Sequence, residues 1–249
     1  MSSIDDPMAV LVRKLESRND LSDADKAAIL ALPHVIRSYD PSAYLLREGE
    51  PARRHCSFVL SGFAYRQKLT AQGARQIVSL HLRGDLLDLQ HLFLKRGDHN
   101  IQALTRLETV DLERDALRAI VAERPAVAHA MWVDALIDAS VFREWIINVG
   151  RRDARTRIAH LLCEFITRMD AAGLNQGERY ELPMTQEQLG DATGLTSVHV
   201  NRTLRSLAED GIVHRDRRYL SLTDWGKMRS IADFSALYLH LDQANPLAP

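Results

Sequence analysis

The chain has 249 residues, of which 46% are hydrophobic and 26% are charged, as expected for an ordinary soluble globular protein. Its formal net charge of −1 excludes a chain that is basic overall, so any contact with nucleic acid needs a local basic patch. Its two cysteines, Cys56 and Cys163, are too few and too far apart for a disulfide framework, a thiolate zinc site or a four-cysteine iron–sulfur cluster.

The first residues, Met1–Met8, are polar and acidic and lack the apolar core of a signal peptide. No apolar run in the sequence is long enough to span a bilayer. We therefore expect a cytoplasmic location and no membrane partner.

Helices are predicted first, over Asp5–Glu16 and Ser22–Leu32, with Ser22 or Asp23 as N-cap of the second and Pro33 after its end. Short apolar segments separated by glycine turns follow, a pattern typical of a small β-sandwich or barrel. The predicted strands are Ala43–Arg47, Cys56–Leu60, Phe63–Leu69, Gln76–Leu82, Ile101–Leu104 and Thr109–Leu112.

A long helix is predicted over Ala126–Val149, which contains no proline or glycine and carries apolar residues on most faces. Such a helix must be buried on more than one side. One side can cover the strands, and the simplest partner for the other is the same helix of a second protomer, although a central helix of a monomer would also satisfy the pattern. Gly150 interrupts this helix and Asp153 can cap the next, so we place a domain boundary at 150–153, between residues 1–150 and 151–249.

A helix-turn-helix is predicted over Thr185–Leu207. Thr185 and Gln188 have the spacing of a capping box, and Gly194 stands where a helix ends in a left-handed turn. Thr196 or Ser197 can cap the second helix, whose buried stripe is predicted to be Val200, Leu204 and Leu207.

The predicted outward face of the second helix carries side chains suited to reading bases in a major groove. These are Ser197, Val198, Asn201, Arg202 and Arg205. Two further strands with Arg217 and Arg218 at their turn predict a wing that contacts phosphates, and residues 223–241 predict a C-terminal helix. Helix pairs joined by a glycine turn also occur in proteins that do not bind DNA, and the basic run could be a solvated turn.

These features together resemble the Crp/Fnr family of bacterial regulators over nearly the whole chain. The resemblance is carried by Gly49, Gly62 and Gly84-Asp85 at turns between strands, the segment opening at Asp153, the helix-turn-helix Thr185–Leu207 and the segment Leu207–Val213. It implies an α+β fold with an N-terminal β-roll (a jelly-roll-like sensor domain similar to cyclic-nucleotide-binding domains), a dimerisation helix over 126–149 and a C-terminal winged helix-turn-helix. It also implies a homodimer that binds palindromic double-stranded DNA, with RNA polymerase as a partner if the protein activates transcription, and no enzymatic activity.

The resemblance also implies roles for single residues. Ser197, Val198, Asn201 and Arg202 fall where family members read bases, and Arg202 matches an arginine common in the family. Val198 falls where many members carry a glutamate, which implies a DNA half-site unlike the familiar ones.

At the sensor end, an effector pocket is predicted around Gly84, Asp85, Asp88, His99 and Asn100. Cyclic-AMP-binding members hold the cyclic phosphate with an arginine, whereas the corresponding pair here is His99-Asn100. We therefore do not expect control by cyclic AMP, since the charge-assisted phosphate contact is missing. An iron–sulfur cluster is not expected either, because no cysteine lies in the first 55 residues.

The sequence does not identify a cofactor, and it leaves three alternatives open. His55, His81, His91 or His99 could ligate haem or a metal in a gas or redox sensor, although scattered histidines are more often packing or surface residues. A cupin-like metalloenzyme would need a His-x-His pair followed by a glutamate, which is not found in 76–110. The third alternative is a regulator without an effector, controlled by its own abundance.

Overall fold

A computed structural model describes residues 6–174, 179–216 and 219–242, with only the backbone described for Arg215 and Asp216. The chain divides into two compact units. One comprises the described residues of Met1–Arg66, Leu80–Ala139 and His240–Pro249, and the other comprises those of Gln67–Ser79 and Ser140–Leu239. The domain boundary expected at 150–153 stays a prediction.

The first unit begins with α1 (Pro7–Glu16) and α2 (Asp23–Leu30). Of the two predicted N-caps, Ser22 is the one that caps α2, and it forms a capping box with Asp25. The apolar faces of both helices, with Leu11, Leu15 and Ile29, are buried in the main core of the unit. The cap therefore starts a helix whose burial supplies most of its stability.

The β-roll consists of two antiparallel sheets, ordered β1-β7-β3 and β2-β6-β4-β5. A short 3-10 helix at Leu89–Leu92 follows β5. The turn between β3 and β4 requires Gly62, because its φ is +80° and a Cβ there would lie 2.2 Å from the Arg106 carbonyl oxygen. The strands are β1 (His34–Tyr39), β2 (Tyr44–Leu46), β3 (His55–Ser61), β4 (Ala64–Leu69), β5 (Arg75–His81), β6 (Asn100–Ala103) and β7 (Leu107–Glu113).

Two apolar cores hold this unit together. The inner core fills the roll between its sheets, with Leu46, Val59 and Leu107 among its members. The outer core joins the sheet residues Phe58 and Val110 to the surrounding helices. Both sheets are therefore covered by apolar side chains on at least one face, as a two-sheet architecture requires.

Two helices follow the roll, α3 (Arg114–Glu123) and α4 (Pro125–Arg151). One row of α4 side chains is buried: Val127, Ala130, Met131, Ile137, Val141, Trp145 and Asn148. Another row, spaced alternately by three and four residues, is exposed or half-buried. It consists of His129, Trp132, Leu136, Ala139, Arg143, Ile146 and Gly150, and is called the α4 stripe below.

The second unit contains a three-stranded sheet, ordered β8-β10-β9, and four further helices. Its core is centred on α5, where Ile158, Leu162 and Phe165 are buried. The elements are α5 (Ala154–Ala171), β8 (Arg179–Glu181), α6 (Gln186–Thr193), α7 (Ser197–Glu209), β9 (Val213–Asp216), β10 (Tyr219–Leu222), α8 (Trp225–Ala232) and a 3-10 helix at Ala236–Leu239.

The predicted fold class is confirmed: the chain is α+β, with a β-roll, a long helix and a winged helix-turn-helix. Some element predictions were wrong. β1, α3 and β8 were not expected, and α4 continues through Gly150 to Arg151. The single C-terminal helix expected over 223–241 is instead α8 and a 3-10 helix, because the chain turns at Asp233 with φ 47°. Among the described residues, no helix has the length and apolar character needed to cross a membrane.

Candidate nucleic-acid interface

The first helix of the motif, α6, begins at a complete capping box. Thr185 Oγ1 accepts a hydrogen bond from the Gln188 backbone N–H at 3.2 Å, and Gln188 Oε1 accepts one from the Thr185 N–H at 2.9 Å. Two of the backbone donors that a helix start leaves unpaired are thereby satisfied. This confirms the cap predicted from the spacing of the two residues.

The turn between α6 and α7 depends on two glycines. Gly194 has φ 67°, a left-handed conformation that costs little only without a side chain. Gly190 lies under the turn, where a Cβ would be 2.4 Å from the Leu195 carbonyl oxygen, and its own carbonyl accepts from the Leu195 N–H at 3.0 Å. Gly190 therefore allows close packing of the turn itself on α6.

The second helix, α7, is oriented by its cap and its buried stripe. Thr196 is the N-cap, and its Oγ1 accepts from the His199 N–H at 3.3 Å. Val200, Leu204 and Leu207 are buried, as the spacing predicted. The opposite face of the helix is consequently directed to solvent.

The predicted base-reading residues lie together on the exposed face of α7. Ser197, Val198, Asn201, Arg202 and Arg205 are all exposed and line one open groove, together with Gln186 of α6. Val198 is 75% exposed, so its apolar side chain is accessible to a partner. Arg205 Nε is 2.9 Å from Glu209 Oε1, so this arginine already has a partner on its own helix.

Gln186 is not among the residues predicted from the sequence. It is the first residue of α6, directly after the N-cap Thr185, at a helix end where backbone N–H groups favour anions such as phosphate. Its place directly after the predicted N-cap Thr185 is the feature of the sequence that could have identified it.

Arginines of α5 hold both helices of the motif. Arg157 donates from Nη1 to the Thr193 carbonyl at 3.1 Å, at the end of α6. Arg155 donates from Nη1 to Ser206 Oγ at 2.6 Å and forms an ion pair with Asp210, both at the far end of α7. These contacts fix both helices of the motif to α5.

The wing is described only in part. β9 and β10 pair antiparallel, with Val213 opposite Leu222. The predicted phosphate contacts Arg217 and Arg218 lie outside the described residues, so their roles stay predictions.

Comparison with known protein families gives two matches. Residues 156–231 match the Crp-like helix-turn-helix domain, and residues 36–124 match the cyclic nucleotide-binding domain. The order of the two domains is the one expected from the resemblance. The chain belongs to the Crp/Fnr family of transcription regulators. It is therefore a regulator and not an enzyme.

Individual Crp/Fnr proteins are similar over most of the chain. The transcriptional activator protein FnrL of Cereibacter sphaeroides is 28% identical over 216 residues, which are 83% of this chain and 84% of FnrL. The nitrogen fixation regulation protein FixK of Rhizobium meliloti is 26% identical over 204 residues, 81% of this chain and 89% of FixK. Among solved structures, FixK2 from Bradyrhizobium japonicum matches with a TM-score of 0.74 at 25% identity, covering 82% of this chain and all (100%) of FixK2.

In this Crp/Fnr chain, the residues of the predicted effector pocket take part in hydrogen bonds within the roll. Asp85 Oδ2 accepts from the Leu82 N–H at 2.9 Å, in the turn that Gly84 forms, and its Oδ1 accepts from Lys14 Nζ at 2.8 Å. Asp88 is buried and its Oδ1 accepts from the Ser57 N–H at 2.6 Å.

His99 and Asn100 lie at the start of β6. Asn100 Oδ1 accepts from the Glu48 N–H at 3.0 Å, and His99 Nδ1 is 2.7 Å from Asp98 Oδ1. Burial, followed by the positive charge of Arg66, lowers the pKa of His99. No two of the four polar residues of the predicted pocket share a partner among these hydrogen bonds, and their role as an effector site stays a prediction.

The histidines weighed as metal or haem ligands are mostly interior. His81, His91 and His99 are buried, and His55 is half-buried with its Nε2 3.1 Å from Asp111 Oδ2. Within the described ranges, no group of three His, Cys, Asp or Glu side chains is arranged to hold a metal ion.

Proposed function

We propose that this Crp/Fnr regulator works as a homodimer that binds a palindromic operator through α7 of each protomer, without control by cyclic AMP. The observation that carries the proposal is the exposed face of α7, where polar and forked side chains stand on the first turns of a capped helix. The N-terminal turns of a recognition helix are the part that enters the major groove. Since transcription regulators act on the chromosome, we also infer a cytoplasmic location, with RNA polymerase as a partner if the protein activates.

The chemistry of the exposed side chains suggests which of them contact bases and which contact phosphates. Arg202 can donate two hydrogen bonds to a guanine edge, and Asn201 can pair with an adenine edge. Val198 has no hydrogen-bonding group and suits the methyl group of a thymine. Ser197, Gln186 and Arg205 are then available for phosphates or flanking bases, with Arg217 and Arg218 as further phosphate contacts.

The α4 stripe supports the dimer. Its alternating spacing of three and four residues is that of a two-stranded coiled coil, and its Trp132, Leu136 and Ile146 are 60%, 64% and 68% exposed. A second copy of α4 would remove these apolar side chains from water. Two-fold symmetry would then present two copies of α7 to a palindrome.

The roll supports independence from cyclic AMP. A cyclic phosphate needs a cation, whereas the residues of the predicted pocket include no arginine or lysine, Asp88 is a buried acid, and burial lowers the pKa of His99. Asp88 and Asn100 already accept backbone hydrogen bonds of the roll. This set of residues supports the proposal, because it lacks the arginine that holds the cyclic phosphate in the cyclic-AMP-binding members.

Selection of bound DNA from a random pool tests the proposal. The purified chain is used at one fixed salt concentration, with and without 1 mM cyclic AMP. We expect enrichment of an inverted repeat, to the same extent in both arms. Enrichment of no sequence would contradict DNA reading, a single asymmetric site would contradict the dimer, and enrichment only with cyclic AMP would contradict the predicted independence.

A further inference from the structure

The hairpin formed by β4 and β5 contacts the first helix of the helix-turn-helix. Its residues Gln67–Ser79 belong to the same compact unit as α6 and α7. Arg75, the first residue of β5, places Nε 2.6 Å from Asp191 Oδ2 and Nη2 3.6 Å from Glu187 Oε1. Gln76 donates from Nε2 to the Ala192 carbonyl at 3.4 Å. The hairpin therefore contacts both a side-chain face and the backbone of α6.

The two carboxylates are suited to hold one arginine. Glu187 and Asp191 are four residues apart in α6, so they lie on the same face of the helix. The side chains of Arg75 and Asp191 are only 25% and 21% exposed, whereas that of Glu187 is 78% exposed. The partly buried Arg75–Asp191 pair is less screened by water than an ordinary surface pair, and its short contact is a charge-assisted hydrogen bond.

The position of this pair matters for DNA. Glu187 directly follows Gln186, which lines the groove beside the base-reading residues. In helix-turn-helix proteins the first helix crosses the DNA backbone, where two carboxylates without a countercharge would repel phosphates. Arg75 supplies that countercharge from outside the motif.

We propose that Arg75 is a positioning residue of the DNA-reading surface. It holds α6 through Asp191 and Glu187, and α7 follows because the turn that leads into α7 packs on α6 through the Gly190–Leu195 contact. This inference rests on the proposed function, because it assigns Arg75 to the same DNA-reading surface.

Equilibrium titrations of operator DNA and scrambled DNA test this inference. The variants are Arg75→Ala, Asp191→Asn, their double variant and the charge swap Arg75→Asp/Asp191→Arg, with the exposed Arg106→Ala as the matched control. Loss of one partly buried, charge-assisted contact should weaken operator binding by about three- to tenfold. Affinity for scrambled DNA should change less, the double variant should be no weaker than either single variant, and the charge swap should recover part of the loss.

The outcomes separate this inference from the proposed function. Failure of the unmodified chain to select any DNA sequence would contradict the proposed function itself. If the unmodified chain binds its operator and Arg75→Ala binds it as tightly as Arg106→Ala does, Arg75 has no positioning role. The same conclusion follows if the double variant loses as much operator affinity as Arg75→Ala and Asp191→Asn lose together. Circular dichroism checks each fold, and if Arg75→Ala is unfolded, unchanged operator affinity of Asp191→Asn overturns the inference.

Discussion

Arg202 and Val198 stand four residues apart on the exposed face of α7 and differ completely in chemistry. A guanidinium fork can recognise one base edge through two directed hydrogen bonds, whereas a branched apolar side chain recognises a methyl group by contact alone. The two residues should therefore contribute differently to affinity and to sequence choice.

Replacing Arg202 by alanine should weaken operator binding by about 1–3 kcal/mol and relax discrimination at one base pair of each half-site. Anisotropy titrations against the operator and its single-base variants measure both effects. Arg106→Ala is the matched control, since the exposed Arg106 lies between β6 and β7, outside the predicted DNA contacts. An equal loss of affinity for every DNA sequence would instead identify Arg202 as a phosphate contact.

The substitution Val198→Glu should change the preferred half-site. A carboxylate at this exposed position can accept a hydrogen bond from the amino group of cytosine, which valine cannot do. Selection from a random pool should then enrich a C·G pair where the unmodified chain prefers another pair. Val198→Ala is the control, with the same preference and lower affinity, and an unchanged consensus for Val198→Glu would place Val198 outside the base contacts.

At the residue scale, the sequence predicts what neighbouring residues determine. The helix-turn-helix could be located closely because its boundaries depend on local features. These are the capping box of Thr185 and Gln188, the positive φ of Gly194 and the N-cap hydrogen bond of Thr196. Arg75 is 116 residues from Asp191 in the chain, and no local pattern signals that contact.

At the scale of elements, α5 is joined to its neighbours through a buried histidine. His160 is 1% exposed and lies against the rings of Phe234 and Tyr238. Its Nε2 is 3.2 Å from Glu144 Oε1, but that carboxylate also accepts from Arg152 at 2.7 Å. Burial first, and then the positive charge of Arg152, lowers the pKa of His160 to about 3, with Asp233 acting weakly in the opposite direction.

This histidine predicts a loss of stability in mild acid. Its pKa is about 3 in the folded chain and near 6.5 in the unfolded chain, so the unfolded state binds the proton more readily between these values. The free energy of unfolding is unaffected above pH 6.5 and falls as the pH drops towards 3, by about 2 kcal/mol between pH 7 and 5. Urea unfolding of the chain and of His160→Gln measures this difference, and equal pH dependence for both would show that His160 is not buried in its neutral form.

The elements missed from the sequence lacked the usual boundary signals. Five residues of β1 are exposed, so it has no apolar alternation and forms by pairing with β7. No glycine or proline separates β7 from α3, because Glu113 is both the last residue of β7 and the N-cap of α3. Asp233 turns the chain in a left-handed conformation that glycine or asparagine would have signalled better.

At the scale of the whole molecule, the function depends on the dimer proposed through the α4 stripe. The apolar residues of α4 could be read from the sequence, but which of them the roll and α5 leave uncovered could not. The structure separates the buried row, with Val127 and Val141, from the exposed Leu136 and Ile146. A test of the dimer can therefore target the stripe without disturbing either core.

The substitution Leu136→Glu should dissociate the proposed dimer. It removes an apolar contact from each protomer and would bury two like charges against each other, at a cost of about 3 kcal/mol or more. Sedimentation equilibrium should show a monomer at concentrations where the unmodified chain is a dimer. Val35→Glu makes the same kind of change at a similarly exposed position of β1, at 59% exposure against 64%, and should leave the dimer intact.

The same variant tests the palindrome. Paired reading helices contact half-sites about one DNA turn apart, roughly 34 Å, so a dimer should lose affinity sharply when five base pairs are inserted between them. A monomeric Leu136→Glu chain should bind the normal and the expanded operator equally, with the affinity of one half-site. Gel-shift titrations of both chains on both DNAs give the comparison, and a Leu136→Glu chain that still distinguishes the two spacings would place the dimer contact outside the α4 stripe.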